Sequence, residues 1–204
     1  SGLTKRSSFL QVKGKDIINQ KGSRIYLRGV NLGGWLMMEG YILGGRNFAA
    51  QIFKQEFARL NGRRELENFK RLYRGNYITY QDIQRIKKMG ANCLRVPFNY
   101  RLIQEDHAWN YLDSIIKWCK REDIYCILDL HAAPGSQNQD WHSDSDGRVL
   151  LWKESRYQRQ YLAIWRRVAS RYETEATVAG YDVLNEPAIK YQDYRPQNFI
   201  LCCG

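Results

Sequence analysis

Residues 178–187 read VAGYDVLNEP, an apolar run that ends in an amide, a carboxyl group and a proline. The apolar run predicts a buried strand, and Pro187 cannot donate to a continued ladder of backbone hydrogen bonds. Glu186 is therefore expected at the carboxyl end of a strand, where α/β enzymes hold their catalytic groups. A carboxyl group beside the amide of Asn185 suits proton transfer to a substrate whose hydroxyl group the amide binds.

Three more strand candidates precede this stretch, and helical patterns separate them. They cover residues 25–31, 92–97 and 124–131. A polar or charged group lies at or near the end of each of them. Before the second of these strands, Thr79 and Asp82 form a capping-box pattern that begins a helix. Strands that alternate with helices predict parallel βα units.

Two fold classes share this pattern, the doubly wound sheet and the (β/α)8 TIM barrel. A doubly wound sheet normally carries G-x-G-x-x-G after its first strand, and Gly29, Gly33 and Gly34 do not fit that spacing. We therefore predict a barrel, which takes at least about 200 residues and typically about 250. A β-hairpin at residues 9–19 and a helical insertion at residues 47–75 use part of the length. We expect a barrel truncated to about the first four βα units.

The composition is that of a globular chain with a strong positive charge. Apolar residues make up 44%, the formal net charge is +11 and the pI is about 9.5. Basic residues cluster within residues 59–74, 85–88 and 156–171, where mixed acids and amides are typical of solvated helix faces. Nucleic-acid binding is the alternative for this charge, although no recognition motif accompanies it. No run of 18 apolar residues occurs, so we predict no membrane span.

The cysteines and acidic residues form no pattern of a metal site or a disulfide scaffold. The cysteines are Cys93, Cys119, Cys126, Cys202 and Cys203, an odd number without framework or zinc-ligand spacing. A calcium-loop pattern beginning at His142 fails because its twelfth position is Lys153, where a glutamate is required. We predict a polar substrate-side loop there, and no metal or other cofactor.

Five motifs in one order carry a family resemblance. They are RGVNLGGW at 28–35, LRVP at 94–97, LDLH at 128–131, APGSQN at 133–138 and NEP at 185–187. Together they resemble glycoside hydrolase family 5, the cellulase and β-glucanase family, and most of all its exo-β-1,3-glucanase-like branch. The resemblance covers about residues 9–187 of a single catalytic domain spanning 1–204. It implies a retaining mechanism on a (β/α)8 barrel, acting on a β-glucan or β-linked oligosaccharide.

The resemblance implies roles for the residues at the strand ends. Glu186 matches the general acid/base, and Asn185 matches the amide that holds the substrate 2-hydroxyl group. Arg95 matches the arginine that orients the nucleophile's carboxylate and keeps it ionised. His131 matches the active-site histidine after the third strand. The structural alternatives are an ion pair for Arg95 and a satisfied core histidine for His131.

Four more residues are expected to contact the sugar. Glu39 aligns with a sugar-binding glutamate of the β-glucanase branch, and Asn138 belongs to the APGSQN loop that carries part of the resemblance. Trp35 and Trp141 lie in loop-like segments, where an indole ring can stack on a sugar face.

A retaining glycosidase needs a second carboxylate about 5–5.5 Å from the first. The resemblance places this nucleophile at the end of the seventh barrel strand, which the sequence does not reach. We expect a chain that holds the acid/base half of the site and is inactive alone. The alternative is a non-catalytic carbohydrate-binding half-barrel that pairs with another chain. The chain begins at Ser1 without a signal peptide, so its residues do not give the compartment, although the family is compatible with secretion.

Overall fold

The computed structural model describes residues 8–105 and 107–188. The strands are β1 (Leu10–Lys13), β2 (Asp16–Asn19), β3 (Gly29–Asn31), β4 (Cys93–Asn99), β5 (Tyr125–Ala132) and β6 (Val178–Asp182). The helices are α1 (Ala50–Asn61), α2 (Arg63–Tyr77), α3 (Tyr80–Lys88), α4 (Ala108–Arg121) and α5 (Ser155–Tyr172). Short 3₁₀ turns cover Tyr100–Gln104 and Trp141–Ser143.

Strands β3, β4, β5 and β6 form one parallel sheet in chain order, and β1 pairs with β2 in a separate hairpin. This confirms the predicted hairpin and the parallel βα pattern. The register pairs Asn31 with Arg95 and Asp129 with Asp182. Because side chains alternate along a strand, these four residues and His131 share one face of the sheet. A column of polar groups therefore stands on that face toward the carboxyl ends of the strands.

The first parallel strand is shorter than the predicted segment, residues 25–31. Its first residue, Ile25, contacts the hairpin instead, because the Ile25 N–H donates to the Ile17 carbonyl at 2.8 Å and the preceding Arg24 bridges to Ile18. Only Gly29–Asn31 pairs with β4.

Strand β4 continues past Pro97, where the sequence predicted its end. The carbonyl of Arg95 and the N–H of Asn99 both bond the chain segment on the β3 side, to Leu32 and Leu36. Pro97 lies between them, so its missing N–H faces the stretch beyond the end of β3. No ladder bond is lost there, which explains why a proline is tolerated inside this strand.

Strand β6 ends at Asp182, four positions before Glu186. The carbonyl of Val183 is taken by side chains of α5, because the Tyr161 hydroxyl and the Trp165 indole N–H donate to it at 3.2 and 2.9 Å. Glu186 consequently lies on a short loop that follows the strand, rather than at its last position.

The hydrophobic core lies between the sheet and helices α3, α4 and α5. Its fully buried side chains include Leu94, Val96, Leu128 and Leu130 from the strands and Ile83, Leu112, Ile115 and Val168 from the helices. Near-continuous burial of β4 and β5 is what strands covered on both faces require. Cys93, Cys119 and Cys126 are buried free thiols, and Cys202 and Cys203 lie outside the described residues.

The predicted insertion forms the antiparallel pair α1 and α2, joined at Gly62. Aromatic rings in stacked and tilted contact fill the space between the two helices and continue toward the Gly33–Gly34 turn. The series is Phe53, Phe57, Phe69, Tyr73 and Tyr77, with centroid separations between 5.1 and 5.8 Å. Tyr73 donates its hydroxyl hydrogen to the Gly34 carbonyl, so the insertion supports the turn that follows β3.

Basic residues of the helices are paired with acids on the same surfaces. Examples are Arg59–Glu56, Lys70–Glu67 and Arg85–Asp82, with N···O distances of 2.8, 2.9 and 2.9 Å. Such pairs favour the solvated-face explanation of the charge clusters. None of the helices in the described ranges combines the length and apolar content needed to cross a membrane.

Candidate active site

The polar strand ends surround a cavity at the carboxyl edge of the sheet, with a volume of about 440 Å³. Small-molecule sites commonly have volumes of this order. Most residues singled out from the sequence line it, namely Glu39, Arg95, His131, Trp141, Asn185 and Glu186. Asn31, Tyr41, Ile42 and His142 lie in the same wall. The parallel sheet thus brings together side chains that are far apart in the chain.

Arg95 is the centre of the polar network under this cavity. Its Nη2 lies 2.7 Å from Asp182 Oδ2, 2.8 Å from Asn185 Oδ1 and 3.0 Å from Asp129 Oδ2, and its Nε donates to Asp182 at 3.0 Å. The guanidinium group therefore fixes the Asn185 amide with its oxygen inward. The Asn185 Nδ2 group is left near His131 Nε2, at 3.4 Å, on the cavity side.

Asp182 is a site residue that the sequence reasoning missed. It is the only charged position within β6, and two-residue alternation places it on the face that carries Arg95 and Asp129. A single charge inside an otherwise apolar strand was the available signal. Its consequence is a second carboxylate, beside Asp129, that holds Arg95.

His131 is buried between two carboxylates, those of Asp129 and Glu39. Its Nδ1 is 2.7 Å from Asp129 Oδ2, and its Nε2 is 3.8 Å from Glu39 Oε1. Burial lowers the pKa of His131, but the hydrogen bond to Asp129 and the negative charges of Asp129 and Glu39 outweigh it and raise the pKa to about 9. Burial also raises the pKa of Asp129, against the opposing effect of His131 and Arg95. At neutral pH His131 is therefore an imidazolium between the two acids.

Glu186 holds its backbone in a left-handed conformation, with φ of 44°. A non-glycine residue there costs on the order of 1–3 kcal/mol and needs support from its surroundings. Gln137 supplies part of this support. Its side-chain Nε2 donates to the Asn185 carbonyl at 3.0 Å, and its backbone carbonyl accepts from the Ala188 N–H at 3.2 Å. The Glu186 side chain is 68% exposed and projects at the cavity rim, with Oε2 3.5 Å from His142 Nε2.

Asn138 differs from the sequence prediction of a sugar contact. It is 2% exposed, and its Nδ2 donates to the Glu186 carbonyl at 2.9 Å. Its Oδ1 accepts from the Ser143 hydroxyl at 2.6 Å and from the Asp140 N–H at 2.9 Å. Both ends of the amide are thus used inside the protein, and Asn138 braces the loop that carries Glu186.

Trp35 also differs from its predicted role as a stacking platform. Its ring is 2% exposed, and its indole N–H donates to the Arg74 carbonyl at 2.8 Å. The preceding Gly34 has φ of 74°, a conformation that turns the chain and directs Trp35 into the core beneath α2. No ring face is left for a sugar.

Trp141 lines the cavity, in edge contact with two neighbours, and its contact with a sugar stays a prediction. Its ring centroid lies 5.7 Å from that of Tyr41 and 5.6 Å from that of His142. The Glu39 charge raises the pKa of Tyr41, with smaller contributions from burial and Glu186, because the phenol stands between these carboxylates. Tyr41 carried no separate signal in the sequence, whereas His142 begins the segment that was expected to be a polar substrate-side loop.

The loop that carries Trp141 and His142 is anchored by Asp144, a buried carboxylate with φ of 58°. It accepts from the Gln51 N–H at 2.7 Å, from Asn99 Nδ2 at 2.8 Å and from Arg101 Nε at 3.1 Å. The anchor joins the loop to the start of α1 and the end of β4. Within the described ranges, no three His, Cys, Asp or Glu side chains are grouped as metal ligands.

Comparison with known proteins gives a consistent family. The model of the family Cellulase (glycosyl hydrolase family 5) matches residues 53–197, more than half of the chain. The chain is 36% identical over 194 residues to the Beta-xylosidase of Phanerodontia chrysosporium. The aligned region covers 91% of this chain and 40% of that protein. It is 30% identical over 174 residues to Probable glucan 1,3-beta-glucosidase A of Neosartorya fischeri, covering 80% and 42%.

Solved structures agree at the level of the fold. The rutinosidase from Aspergillus niger superposes with a TM-score of 0.65 at 20% sequence identity, covering 79% of this chain and 49% of that chain. Structures of the family are (β/α)8 barrels, and the parallel sheet described above fits this architecture. The chain spans less than half the length of these three relatives. On the family match and the similarity to the xylosidase, the chain belongs to glycoside hydrolase family 5.

Proposed function

We propose that the protein is a retaining β-glycosidase of the β-glucanase type, with Glu186 as its general acid/base. The observation that carries the proposal is the placement of the Glu186 carboxylate on the rim of the cavity next to Asn185. Family membership supports the reaction class, and β-glucan or a β-linked oligosaccharide is the proposed substrate.

In the proposed reaction, Glu186 protonates the glycosidic oxygen while the bond from that oxygen to the sugar carbon breaks. A nucleophilic carboxylate forms a bond to the same carbon. Glu186, now ionised, takes a proton from water, and the water oxygen displaces the nucleophile. The acid is thereby restored, and the net reaction is hydrolysis.

Asn185 is the proposed partner of the substrate 2-hydroxyl group. Arg95 occupies its Oδ1 at 2.8 Å, so the amide orientation is set before substrate arrives. A preset amide supports a hydrogen bond that strengthens in the transition state. His131 is proposed to orient Glu39, whose carboxylate lines the cavity and can accept hydrogen bonds from sugar hydroxyl groups.

We further propose that the nucleophile is supplied from outside these 204 residues, and that the chain alone does not turn over. Asp129 and Asp182 both contact Arg95, and Asp129 is fully buried. Glu39 is buried beside His131. These carboxylates are held by cations and are poorly placed to attack a sugar carbon.

Two measurements test the proposal separately. Titration calorimetry with cellotetraose is expected to show binding that Asn185→Ala weakens at least about fivefold, since a lost hydrogen bond costs about 1–3 kcal/mol. The exposed Asn110→Ala is the matched control and should not change the affinity. Absence of cellotetraose binding, or equal effects of both variants, would contradict the assigned site.

The second measurement is hydrolysis of an aryl β-glucoside by the purified chain. We expect no turnover above background. Sustained turnover that Glu186→Gln abolishes would overturn the half-site statement while supporting the role of Glu186. Turnover unaffected by Glu186→Gln would overturn the assignment of the acid/base.

A carbohydrate-binding half-barrel that pairs with a second chain is the other candidate. Among the described residues, β3 and β6 each pair on one side, and Val30, Tyr181 and Val183 near these edges are 49%, 37% and 45% exposed. Open edges with apolar side chains favour pairing with another strand. Analytical ultracentrifugation tests this, because the candidate requires a discrete dimer and a monodisperse monomer contradicts it.

A further inference from the structure

The helical insertion carries another cavity, a groove of about 650 Å³ between α1 and α2. It shares no lining residue with the candidate active site. Half-buried Ala58 and Leu66 give the groove an apolar wall. Its basic lining residues are Lys54, Arg59 and Arg63. Such a lining matches ligands that combine an apolar part with negative charges.

Lys54, at one end of this groove, is a half-buried cation without a carboxylate partner. Its two cationic neighbours share one acid, because Lys70 Nζ lies 3.0 Å from Glu105 Oε1 and Arg74 Nη2 donates to the same oxygen at 3.3 Å. Lys70 also holds Glu67, the acid in the groove wall, at 2.9 Å. Among the residues that the structure describes, no carboxylate oxygen lies within ion-pair distance of Lys54 Nζ. A partly buried charge in this state is costly unless an anion reaches it.

The pKa of Lys54 reflects these surroundings. Burial lowers it from 10.5 to about 8, and the positive charges of Arg74 and Lys70 lower it as well. The carboxylates of Asp144 and Glu105 oppose this effect without cancelling it. A negative group placed beside Nζ would favour the charged amine and raise the pKa again.

Arg63, at the first position of α2, is a second cation of the groove without an acid. Arg59 is paired with Glu56 at 2.8 Å, whereas no carboxylate in the described ranges lies within ion-pair distance of Arg63. Lys54 lies seven residues before the end of α1, close to which α2 begins. A rise of 1.5 Å per residue therefore separates the two unpaired cations by about 10 Å along the helix axis. Ala58 lies within this interval.

We propose that the groove between α1 and α2 binds an elongated organic dianion, in which two carboxylates are joined by an apolar spacer. One carboxylate pairs with Lys54, the other pairs with Arg63, and the spacer lies against Ala58 and Leu66. The proposal does not depend on the glycosidase assignment, since the two sites share no lining residue.

The probe is suberate, an eight-carbon dicarboxylate, titrated by calorimetry at low ionic strength and pH 6.5. Octanoate has the same chain length with one carboxylate, and succinate has both carboxylates on a spacer too short to span the groove. An ion pair at exposed Arg63 is worth up to about fivefold in affinity, so suberate should bind at least about threefold more tightly than octanoate. Succinate should bind at least about tenfold more weakly than suberate, because it also loses apolar contact.

Two variants locate the carboxylates. Lys54→Met should raise the Kd for suberate at least about tenfold, as expected for loss of a hydrogen bond to a charged group. Arg63→Met should make suberate bind no more tightly than octanoate. Arg64→Met is the matched control, because Arg64 is the exposed neighbour of Arg63 and does not line the groove. Circular dichroism and urea unfolding establish that each variant is folded.

The pH dependence of binding provides an independent readout of Lys54. A dianion binds the protonated amine, so the affinity for suberate should fall at least about fivefold between pH 6.5 and 9 as Lys54 loses its proton. Lys54→Met should abolish this dependence, whereas Arg63→Met should retain it.

Three results would overturn the proposal. They are absence of suberate binding at pH 6.5, equal affinities for suberate, octanoate and succinate, and suberate binding that Lys54→Met leaves unchanged. The last result would show that the diacid binds elsewhere on the chain. None of them bears on the proposed glycosidase function, which the cellotetraose titration tests separately.

Discussion

The raised pKa of His131 predicts how the free energy of unfolding depends on pH. A rise of the imidazole pKa from 6.5 to about 9 corresponds to a total of about 3 kcal/mol. The folded chain binds this proton more tightly than the unfolded chain. The stabilisation is therefore complete below pH 6.5 and is lost as the pH rises through about 9.

The measurable part is the interval from pH 6.5 to about 8. A bound proton changes stability by about 1.4 kcal/mol per pH unit, so His131 should lower the free energy of unfolding by about 1.5 kcal/mol over this interval. Above it, Lys54 acts in the opposite direction. Burial, with help from Arg74, lowers the pKa of Lys54 from 10.5 to about 8. The folded chain therefore loses this unfavourable buried charge, and gains stability, as the pH rises above about 8.

Urea unfolding at both pH values measures the slope. His131→Gln should remove it, while the exposed His107→Gln should retain it. Because His131→Gln also removes one of the two cations that contact Asp129, an NMR titration of the unmodified chain provides a second readout. An imidazole midpoint near 9 is expected for His131. A midpoint below 7, or an unchanged slope in His131→Gln, would show that His131 is not the group that holds this proton.

Two further predictions concern stability, each with a matched control. Asp144→Ala removes the buried carboxylate that accepts from Arg101 Nε, Asn99 Nδ2 and the Gln51 N–H, so we expect the free energy of unfolding in urea to fall by about 3–5 kcal/mol. The exposed Asp146→Ala should lie within about 0.5 kcal/mol of the unsubstituted chain. Equal effects would show that Asp144 is no anchor. Gly29→Ala would place its Cβ 1.8 Å from the Cys93 carbonyl oxygen, so we expect a loss exceeding about 3 kcal/mol or failure to fold, while Gly180→Ala meets no atom within 4 Å and should stabilise by about 0.5 kcal/mol. A folded Gly29→Ala chain of normal stability would contradict the tight β3–β4 contact.

The parallel sheet was predictable because the apolar runs and helix signals are local. The capping box at Thr79 and Asp82 forms as expected, and the strands around Val96 and Leu128 are buried on both faces. Strand-end residues were predictable as cavity residues for a topological reason: parallel strands deliver their carboxyl ends to one edge. That rule placed Arg95 and His131 correctly at the cavity.

Side-chain direction was not predictable from these local sequence patterns. Trp35 follows two glycines in a loop, and only the left-handed turn at Gly34 decides that its ring enters the core. Asn138 stands in a motif of polar residues, and only the spatial approach of Glu186 decides that its amide is consumed internally. Both outcomes depend on contacts between segments distant in the chain. Local spacing carries no information about them.

The position of Glu186 shows how the distant contacts matter for the proposed chemistry. Strand β6 ends at Asp182, so the strand itself does not place the acid. The acid is held instead by Gln137 and Asn138, which bind the backbone on either side of its left-handed residue. Gln137 and Asn138, in the loop after β5, therefore fix the backbone geometry at Glu186. The same loop continues to His142, which meets the Glu186 carboxylate itself, so one segment controls both the backbone and the surroundings of the proposed acid/base.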